Sequence, residues 1–347
     1  MNDNYFTYMK RAFQLALQGE ATVSPNPMVG ALIVKNNKVI GEGFHYKKGS
    51  AHAEVEAINS SSENVEGATL VCNLEPCCHE NKTTPPCTNL IIEKRIKKVI
   101  FSNYDPNPFV SGNGAKILKE AGIEVQAEVL AKEGEKINKV FFKNMKDKMP
   151  YVHLKSAITL DGKICSDTGD SKWISSEEAR NEVHQFRKAY DAIMIGKNTL
   201  KEDNPLLSAR EGNLIVKEPK KIIVGNLNDN DCSIKTVENI NNVINIYTKD
   251  SSFKGLKIHH TDWNSTLKRL YEIGVCSILV EGGAFLISSL IEEDTYDQAT
   301  FYISQKLLGN GKSFYESRKS TRICEAVKLN GSWKLNASGE AILEVQR

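Results

Sequence analysis

Three short clusters carry side chains that together could do hydrolytic chemistry: His52-Ala53-Glu54, Pro76-Cys77-Cys78 and, after a gap, Pro86-Cys87. Imidazole and thiolate ligands bind zinc tightly, and three protein ligands leave the fourth coordination position open to water. A carboxylate two residues from the histidine then has a task, because it can take and return the protons of that water. Four of the eight cysteines, Cys72, Cys77, Cys78 and Cys87, fall between positions 72 and 87, a density that uniform scatter does not produce.

That order, H-x-E followed by P-C and a further Cys, is the signature of zinc deaminases, in which the Glu carries protons and is not a ligand. A closed structural zinc site needs a fourth ligand, for which Cys78 is the candidate, and iron–sulfur or disulfide roles also stay open for the cluster. Glu54 favours the open site, since a structural metal needs no proton carrier. Adjacent cysteines converge on one ion only with a strained backbone, which counts against Cys78, while Cys72 reads as a buried strand residue. His52 and Cys87 both fall at expected helix N-termini, where the dipole and free N–H groups lower a thiol's pKa.

These residues need a scaffold, and its periodicities are visible. Residues 3–18 carry Phe6, Met9, Phe13 and Leu17 at helical spacing and stop at Gly19, an amphipathic helix with a glycine end. A hairpin follows, strands 29–35 and 38–42 about Asn36-Asn37, residues that tolerate the left-handed backbone of a two-residue turn. The pattern then predicts a helix over 53–59, a strand over 68–73, a helix over 87–95, a strand over 98–102, a helix over 115–120, a strand over 123–127 and one helix over 133–144. The charged, proline-ended run Lys146-Asp147-Lys148-Met149-Pro150 is the expected boundary, giving domains over 1–146 and 150–347. Beyond it come strand 151–158, a helix over 175–190 opened by the capping box Ser175-Ser176-Glu177-Glu178, strands 192–196, 221–225, 243–248 and 277–280, a helix over 284–291, and a final strand pair, 300–304 and 341–346. Strands alternating with helices predict an α/β layer fold in each half.

At 347 residues, 40% hydrophobic and 25% charged, the chain is sized for two soluble globular domains. A net charge of +2 and the lack of a Lys/Arg stripe interleaved with aromatics argue against nucleic acid as a partner. The N-terminus, Met1-Asn2-Asp3-Asn4, has no basic segment followed by an apolar core, and apolar runs such as 28–34 are too short to span a membrane. A cytoplasmic protein with reduced thiols and no membrane association is therefore expected. No G-x-G-x-x-G follows a strand, and Gly112-Asn113-Gly114 lacks the third glycine and reads as a turn. Glu281-Gly282-Gly283, between a strand and a helix, is a place where backbone N–H groups and the helix dipole can hold a phosphate, with a plain strand-to-helix turn as the alternative. Gly196-Lys197-Asn198-Thr199 and the stretch 203–210 stay open in the same way, as turns or as ligand-lining loops.

Ser24-Pro25-Asn26-Pro27-Met28-Val29-Gly30, His52-Ala53-Glu54, Leu74-Glu75-Pro76-Cys77, Thr84-Pro85-Pro86-Cys87 and Asp105-Pro106-Asn107-Pro108 together resemble the deaminase half of the bifunctional riboflavin-biosynthesis deaminase/reductase family. Lys155-Ser156-Ala157, Leu160-Asp161-Gly162-Lys163-Ile164, Ser171-Lys172-Trp173-Ile174, Asp203-Asn204-Pro205 and Val280-Glu281-Gly282-Gly283 are similar to its reductase half. The resemblance spans nearly the whole chain and implies a cytidine-deaminase-like three-layer domain followed by a dihydrofolate-reductase-like domain. Position by position, it implies His52, Cys77 and Cys87 as the ligands of one Zn²⁺, Glu54 as the general acid/base, and Asn26, His45 and Lys82 as deaminase substrate positions. In the second half it implies Ser171, Arg187, Leu207, Arg210 and Glu281 as substrate positions, and Ala157, Trp173, Thr199, Asp203 and the segment from Gly283 as NADPH positions. The loop from Cys78 to Cys87 is one residue longer than the family's usual loop and lacks its glycine before the basic residue, which bears on Lys82 and not on the flanking cysteines.

The implied chemistry is hydrolytic removal of the C2 amino group of 2,5-diamino-6-(5-phosphoribosylamino)pyrimidin-4(3H)-one. NADPH reduction of the ring-opened ribosyl group follows, giving 5-amino-6-(5-phosphoribitylamino)uracil. Arg187 and Arg210 are expected on the sugar phosphate, through the planar bidentate contacts that a guanidinium makes. The implied partners are this phosphorylated pyrimidine and further copies of the chain, in a homo-oligomer. Two other readings use the same motif. One is a cytidine- or guanine-type deaminase fused to a ligand-binding domain, which typically carries Cys-x-x-Cys where this chain has Glu80. The other is a non-catalytic zinc module, for which Glu54 is incidental.

Overall fold

Strand β1 (Gly30–Lys35) dictates the layering of the first half. Its alternate side chains enter different apolar clusters, Ala31 and Ile33 on one face and Leu32 and Val34 on the other, so both faces need cover. The structure is a computed structural model that describes residues 3–79, 85–228, 231, 235–317 and 322–347. It divides into two units, Met1–Lys148 and Met149–Arg347. In the first, β1 pairs antiparallel with β2 (Lys38–Phe44) across Asn36 and Asn37, both at positive φ as the turn requires. Strands β3 (Thr69–Leu74), β4 (Lys98–Asn103) and β5 (Glu124–Gln126) run parallel to one another and complete a sheet of order β2-β1-β3-β4-β5.

Helix α1 (Asp3–Leu17) covers one face through Met9, Ala12 and Phe13. Helices α2 (Ala53–Asn59), α3 (Cys87–Glu93) and α4 (Asn113–Glu120) cover the other. Contact between α2 and β2 is so close that a Cβ on Gly43 would lie 2.4 Å from the Ala57 nitrogen, which is why glycine stands there. Helix α4 begins two residues before its predicted start because the Glu75 carboxylate accepts the N–H groups of Gly112 (2.9 Å) and Ala115 (2.9 Å). The single helix predicted over 133–144 is two, α5 (Ala131–Ile137) and α6 (Lys139–Asp147), broken at Asn138, whose φ of −100° and ψ of 23° leave the helical region.

The second unit is built on nine strands in the order β13-β12-β11-β8-β14-β6-β15-β18-β17. Strands β6 (Tyr151–Ile158), β8 (Ala192–Gly196), β11 (Lys220–Val224), β12 (Val243–Tyr247), β13 (Leu256–His259), β14 (Ser277–Val280) and β15 (Gln298–Ile303) are all parallel. Strands β17 (Gly331–Leu335) and β18 (Ala341–Gln346) close one edge antiparallel. Two short ribbons, β7 (Lys163–Cys165) with β16 (Lys312–Ser313) and β9 (Ala209–Glu211) with β10 (Leu214–Lys217), lie outside the main sheet. Consecutive residues Ile193, Met194 and Ile195 are all fully buried, as in a parallel strand covered on both faces.

Helices α9 (Trp263–Glu272) and α10 (Ala284–Glu292) pack on one face through Trp263, Leu267, Leu286 and Ile287. Helix α8 (Lys197–Asp203) packs on the other through Leu200, occupying a stretch the sequence left as turn or loop. Helix α7 (Glu177–Ala189) packs through Ala179 and Val183 against Tyr302 and Ile342. Its predicted capping box is displaced by one residue. Ser176 is the cap and accepts the Ala179 N–H at 3.2 Å, while Glu178 leaves the helix end to accept the N–H groups of Ala337 and Ser338. Because β8, β11 and β14 are parallel, their C-terminal ends open on one edge, where α8 and α10 begin. Among the described residues, no helix is long and apolar enough to cross a membrane.

Candidate metal centre and cofactor cleft

Two short helices bring the first site together. His52 is the residue that precedes α2, and Cys87 opens α3. Cys77 lies three residues beyond β3, anchored by Glu75, whose carboxylate also receives the Asp105 N–H at 3.3 Å. His52 Nδ1 lies 3.2 Å from Cys87 Sγ and 3.4 Å from Cys77 Sγ, and the Cys87 N–H points at Cys77 Sγ, 3.4 Å away. A tetrahedral zinc with bonds of about 2.0 Å to nitrogen and about 2.3 Å to sulfur sets ligand atoms roughly 3.5–3.8 Å apart, so the trio fits the ion. Among the described residues it is the one group of three with metal-binding geometry. Cys78 is not in it. Its Sγ approaches the Phe109 carbonyl at 3.7 Å, so the adjacent cysteines diverge, and no fourth His, Cys, Asp or Glu among the described residues joins the trio.

Glu54 is 4% exposed, and burial pushes its carboxyl above the usual range against the opposing pull of His52. A raised pKa suits a group that must hold and release a proton near neutrality. Cys87 corrects one expectation. Its thiol is held well above the ordinary value by its hydrogen bond with Cys77, by burial and by the Glu54 charge, so the helix N-terminus alone does not ionise it. A bound cation would, since metal ligation and thiol deprotonation are linked.

Beside the trio, the His45 ring stands 5.7 Å from that of His52. Its Nδ1 donates to the Ala51 carbonyl at 3.0 Å, and its Nε2 therefore accepts from Asn26 Nδ2, also at 3.0 Å. The imidazole is fixed as a neutral tautomer, with Asn26 held against it. The fold thus brings His45 and Asn26 to the metal trio. Lys82 lies outside the described residues.

A cavity of about 790 Å³ opens in the second unit at the strand ends. Ala157, Ser171, Thr199, Asp203, Glu281 and Gly283 of the predicted ligand positions line it. Gly283 caps α10, and a Cβ there would meet the Thr199 hydroxyl at 3.7 Å, so the helix N-terminus and Thr199 face each other across the cleft. Burial raises the carboxyl of Asp203.

The remaining positions lie elsewhere. Trp173 is 61% exposed and stacks under the Arg180 guanidinium at 4.5 Å. The Leu207 side chain belongs to the apolar core with Ile193 and Ile223, so only its backbone can meet a ligand. Arg187 spends its fork on Glu281, Nε to Oε1 at 2.6 Å and Nη2 to Oε2 at 2.8 Å, and its Nη1 on the Ser208 carbonyl. Within the chain alone, the guanidinium fork expected on phosphate is therefore paired with Glu281. Arg210 differs, since its buried Nε has no hydrogen-bond partner among the described residues. Sequence reasoning missed His184, which stands one helical turn before Arg187 on α7 and accepts the Arg210 N–H at 3.3 Å. The i, i+3 spacing of His184 and Arg187 was the available signal.

Comparison with known proteins matches the same two units. Residues 3–103 match the family model for the cytidine and deoxycytidylate deaminase zinc-binding region, and residues 150–338 match that for the RibD C-terminal domain. The riboflavin biosynthesis protein RibD of Actinobacillus pleuropneumoniae is 39% identical over 340 residues, covering 93% of this chain and 90% of that protein. The RibD of Bacillus amyloliquefaciens is 39% identical over 322 residues, covering 87% of this chain and 85% of that protein. Among solved structures, Acinetobacter baumannii RibD superposes with a TM-score of 0.91 at 31% identity over 99% of each chain. The diaminohydroxyphosphoribosylaminopyrimidine deaminase/5-amino-6-(5-phosphoribosylamino)uracil reductase of Thermotoga maritima superposes at 0.89 and 36% identity, also over 99% of each chain.

Proposed function

The chain belongs to the RibD family of riboflavin biosynthesis proteins, and from that premise we propose how its own residues divide the work of a bifunctional deaminase and reductase. The observation that carries the reading is the convergence of His52, Cys77 and Cys87 with Glu54 buried beside them. These three would hold zinc, which would supply a water acidified enough to act as nucleophile at neutral pH. Glu54 is placed to hold and return a proton there, between the attacking water and the amino group leaving C2 of the pyrimidine. Asn26 and the neutral His45 orient the ring, and Lys82 is proposed as a further substrate position. The deaminase module spans 1–146 and the reductase module 150–347.

In the reductase, the α10 N-terminus at Gly283 with Thr199, Asp203, Ala157 and Trp173 would hold NADPH, which would supply hydride to C1 of the opened ribosyl chain. Ser171, Arg210, the Leu207 backbone and the Arg187–Glu281 pair hold the deaminated ribosyl phosphate, with Arg210 on the phosphate. A cytoplasmic location is supported by the reducing conditions that a thiolate metal site favours, and a homo-oligomer is the proposed assembly, tested by sedimentation of the purified chain, where a monomer overturns it. For the chemistry, the purified chain is incubated with the diaminopyrimidine ribosyl phosphate, with and without NADPH, and products are identified by mass. Deamination without cofactor and a ribityl product with it are expected. A mass unchanged in both cases overturns the assignment.

A further inference from the structure

Asn138, the residue that interrupts α5 and α6, is 2% exposed, and both ends of its amide bind the backbone of one residue 110 positions earlier in the chain, Met28. Its Oδ1 accepts the Met28 N–H at 2.8 Å and its Nδ2 donates to the Met28 carbonyl at 2.9 Å. Asn73, the fifth residue of β3 and 1% exposed, completes the arrangement. Its Nδ2 donates to the same Met28 carbonyl at 2.9 Å and its Oδ1 accepts the Gly30 N–H at 2.8 Å. β1 pairs with β3 only as far as Ala31 opposite Cys72, so beyond that point two side-chain amides take over the work of the ladder. Each amide must present its oxygen to an N–H and its nitrogen to a carbonyl, an arrangement that only asparagine supplies at this length.

The segment so held adjoins Asn26 and His45, the residues proposed above as the wall of the deaminase pocket. Asn26 precedes it by two residues, and Val29 within it accepts the His45 N–H at 2.8 Å. Asn26 and His45 are joined in turn by their side chains at 3.0 Å. Asn73 stands four residues before Cys77, so the clamp ties the pocket wall to the strand that leads to the metal trio.

We propose that Asn138, with Asn73, is a positioning residue for deamination. It touches no substrate and acts through Asn26, whose place against the pyrimidine depends on the Met28 peptide being fixed. The inference rests on the deaminase reading given above and deepens it.

The test uses the full-length, zinc-loaded chain. Asn138→Ala leaves the Met28 N–H without a partner. Asn138→Asp keeps the shape and the acceptor and turns only the donor into an oxygen. In both, the KM for the diaminopyrimidine ribosyl phosphate rises about tenfold, as expected for one lost buried hydrogen bond, while kcat stays within roughly threefold. Zinc content stays at that of the wild type, and NADPH-dependent reduction of the deaminated intermediate, measured in the same preparation, does not change. Adding Asn138→Ala to Asn26→Ala raises KM no further than Asn26→Ala alone, because the two act as one unit. An unchanged KM in zinc-replete variants overturns the proposal, and so do multiplying KM effects in the double variant. Loss of zinc in both the Ala and the Asp variant also overturns it, since Asn138 is then a folding residue. Failure of the wild type to release ammonia would instead overturn the deaminase reading itself.

Discussion

Glu54 in the first unit and Glu281 in the second are both buried carboxylates, the one 4% exposed as a residue and the other with 11% of its side chain exposed, yet their pKa values move in opposite directions. Burial pushes each upward. For Glu54 burial is the largest influence and the opposing pull of His52 is smaller, so the protein groups alone leave its pKa raised. For Glu281 the Arg187 charge and its paired hydrogen bonds outweigh burial, with Lys155 and His184 adding to them, so its pKa ends lowered. One carboxylate is poised to exchange a proton and the other is held as a permanent anion. What separates chemistry from scaffolding here is the partner and not the depth of burial.

The largest test of that contrast is to remove the proton from play. Glu54→Gln keeps the shape and abolishes the acid/base function, so ammonia release should fall by roughly 10²–10⁴-fold while zinc content and NADPH-dependent reduction persist. A variant that still deaminates at near the wild-type rate would reduce Glu54 to a buried structural group.

Next in size, Arg187→Ala should turn Glu281 into a second Glu54. Breaking a buried pair from one side strands the other charge and typically destabilises by about 3–5 kcal/mol, with Lys155 and His184 holding this case towards the lower end. All three tryptophans, Trp173, Trp263 and Trp333, lie in the second unit, so urea unfolding followed by tryptophan fluorescence reports on that unit alone. The pH dependence reverses as well. In the wild type Glu281 has a depressed pKa, so its contribution to stability is present above the unfolded value of about 4.3 and is lost as pH falls through the lower folded value. Without Arg187 burial raises that pKa, and the contribution is then present at acid pH and lost as pH rises. An Arg187→Ala protein with the wild-type acid profile would show that Lys155 and His184 alone keep Glu281 ionised.

Arg210 sharpens the same contrast from the cationic side. Arg187 is paired with Glu281, whereas the buried Nε of Arg210 has no hydrogen-bond partner among the described residues. Arg210→Ala should weaken binding of the deaminated ribosyl phosphate by about 2 kcal/mol, roughly thirtyfold, and leave NADPH affinity unaltered. Calorimetric titration of both ligands distinguishes this from a role at the cofactor's 2′-phosphate, which predicts weaker NADPH binding with substrate affinity preserved.

The two halves were not equally legible in the amino-acid sequence. The metal trio was, because His52, Cys77 and Cys87 come from short segments whose ligand types announce themselves. The Asn36-Asn37 hairpin and the pairing of β15 with β18 were also readable from local patterns, the antiparallel sense of the second coming from the structure. Partnerships across long separations were not. Arg187 and Glu281 lie 94 positions apart, and nothing local marks their fork as filled. Asn138 looks like an ordinary helical residue until Met28 is seen beside it. Helix α9 is a different case, since Asp262 caps it by accepting the Ser265 N–H at 2.8 Å, and Trp263, Thr266, Leu267 and Leu270 repeat at helical spacing. The signal was there without being used. β17 carried none, because all five of its side chains are exposed.

The smallest expected effect concerns two neighbours, Cys77 and Cys78, and whether the first site is open. The proton-carrying role of Glu54 requires a coordination position that no protein group fills, so a fourth cysteine ligand would close the site and remove the task. Cys78 Sγ is directed to the Phe109 carbonyl, away from the trio. Cys78→Ser should therefore leave zinc stoichiometry and ammonia release at wild-type levels, whereas Cys87→Ser should lose both together, because the remaining two ligands cannot complete the shell. Metal content by mass spectrometry after dialysis against a weak chelator reads the difference directly. If Cys78→Ser loses metal as fully as Cys87→Ser does, the site is a closed four-ligand centre. Glu54 then has no acidic water to serve, its raised pKa reflects burial alone, and the contrast with Glu281 becomes one between two structural groups.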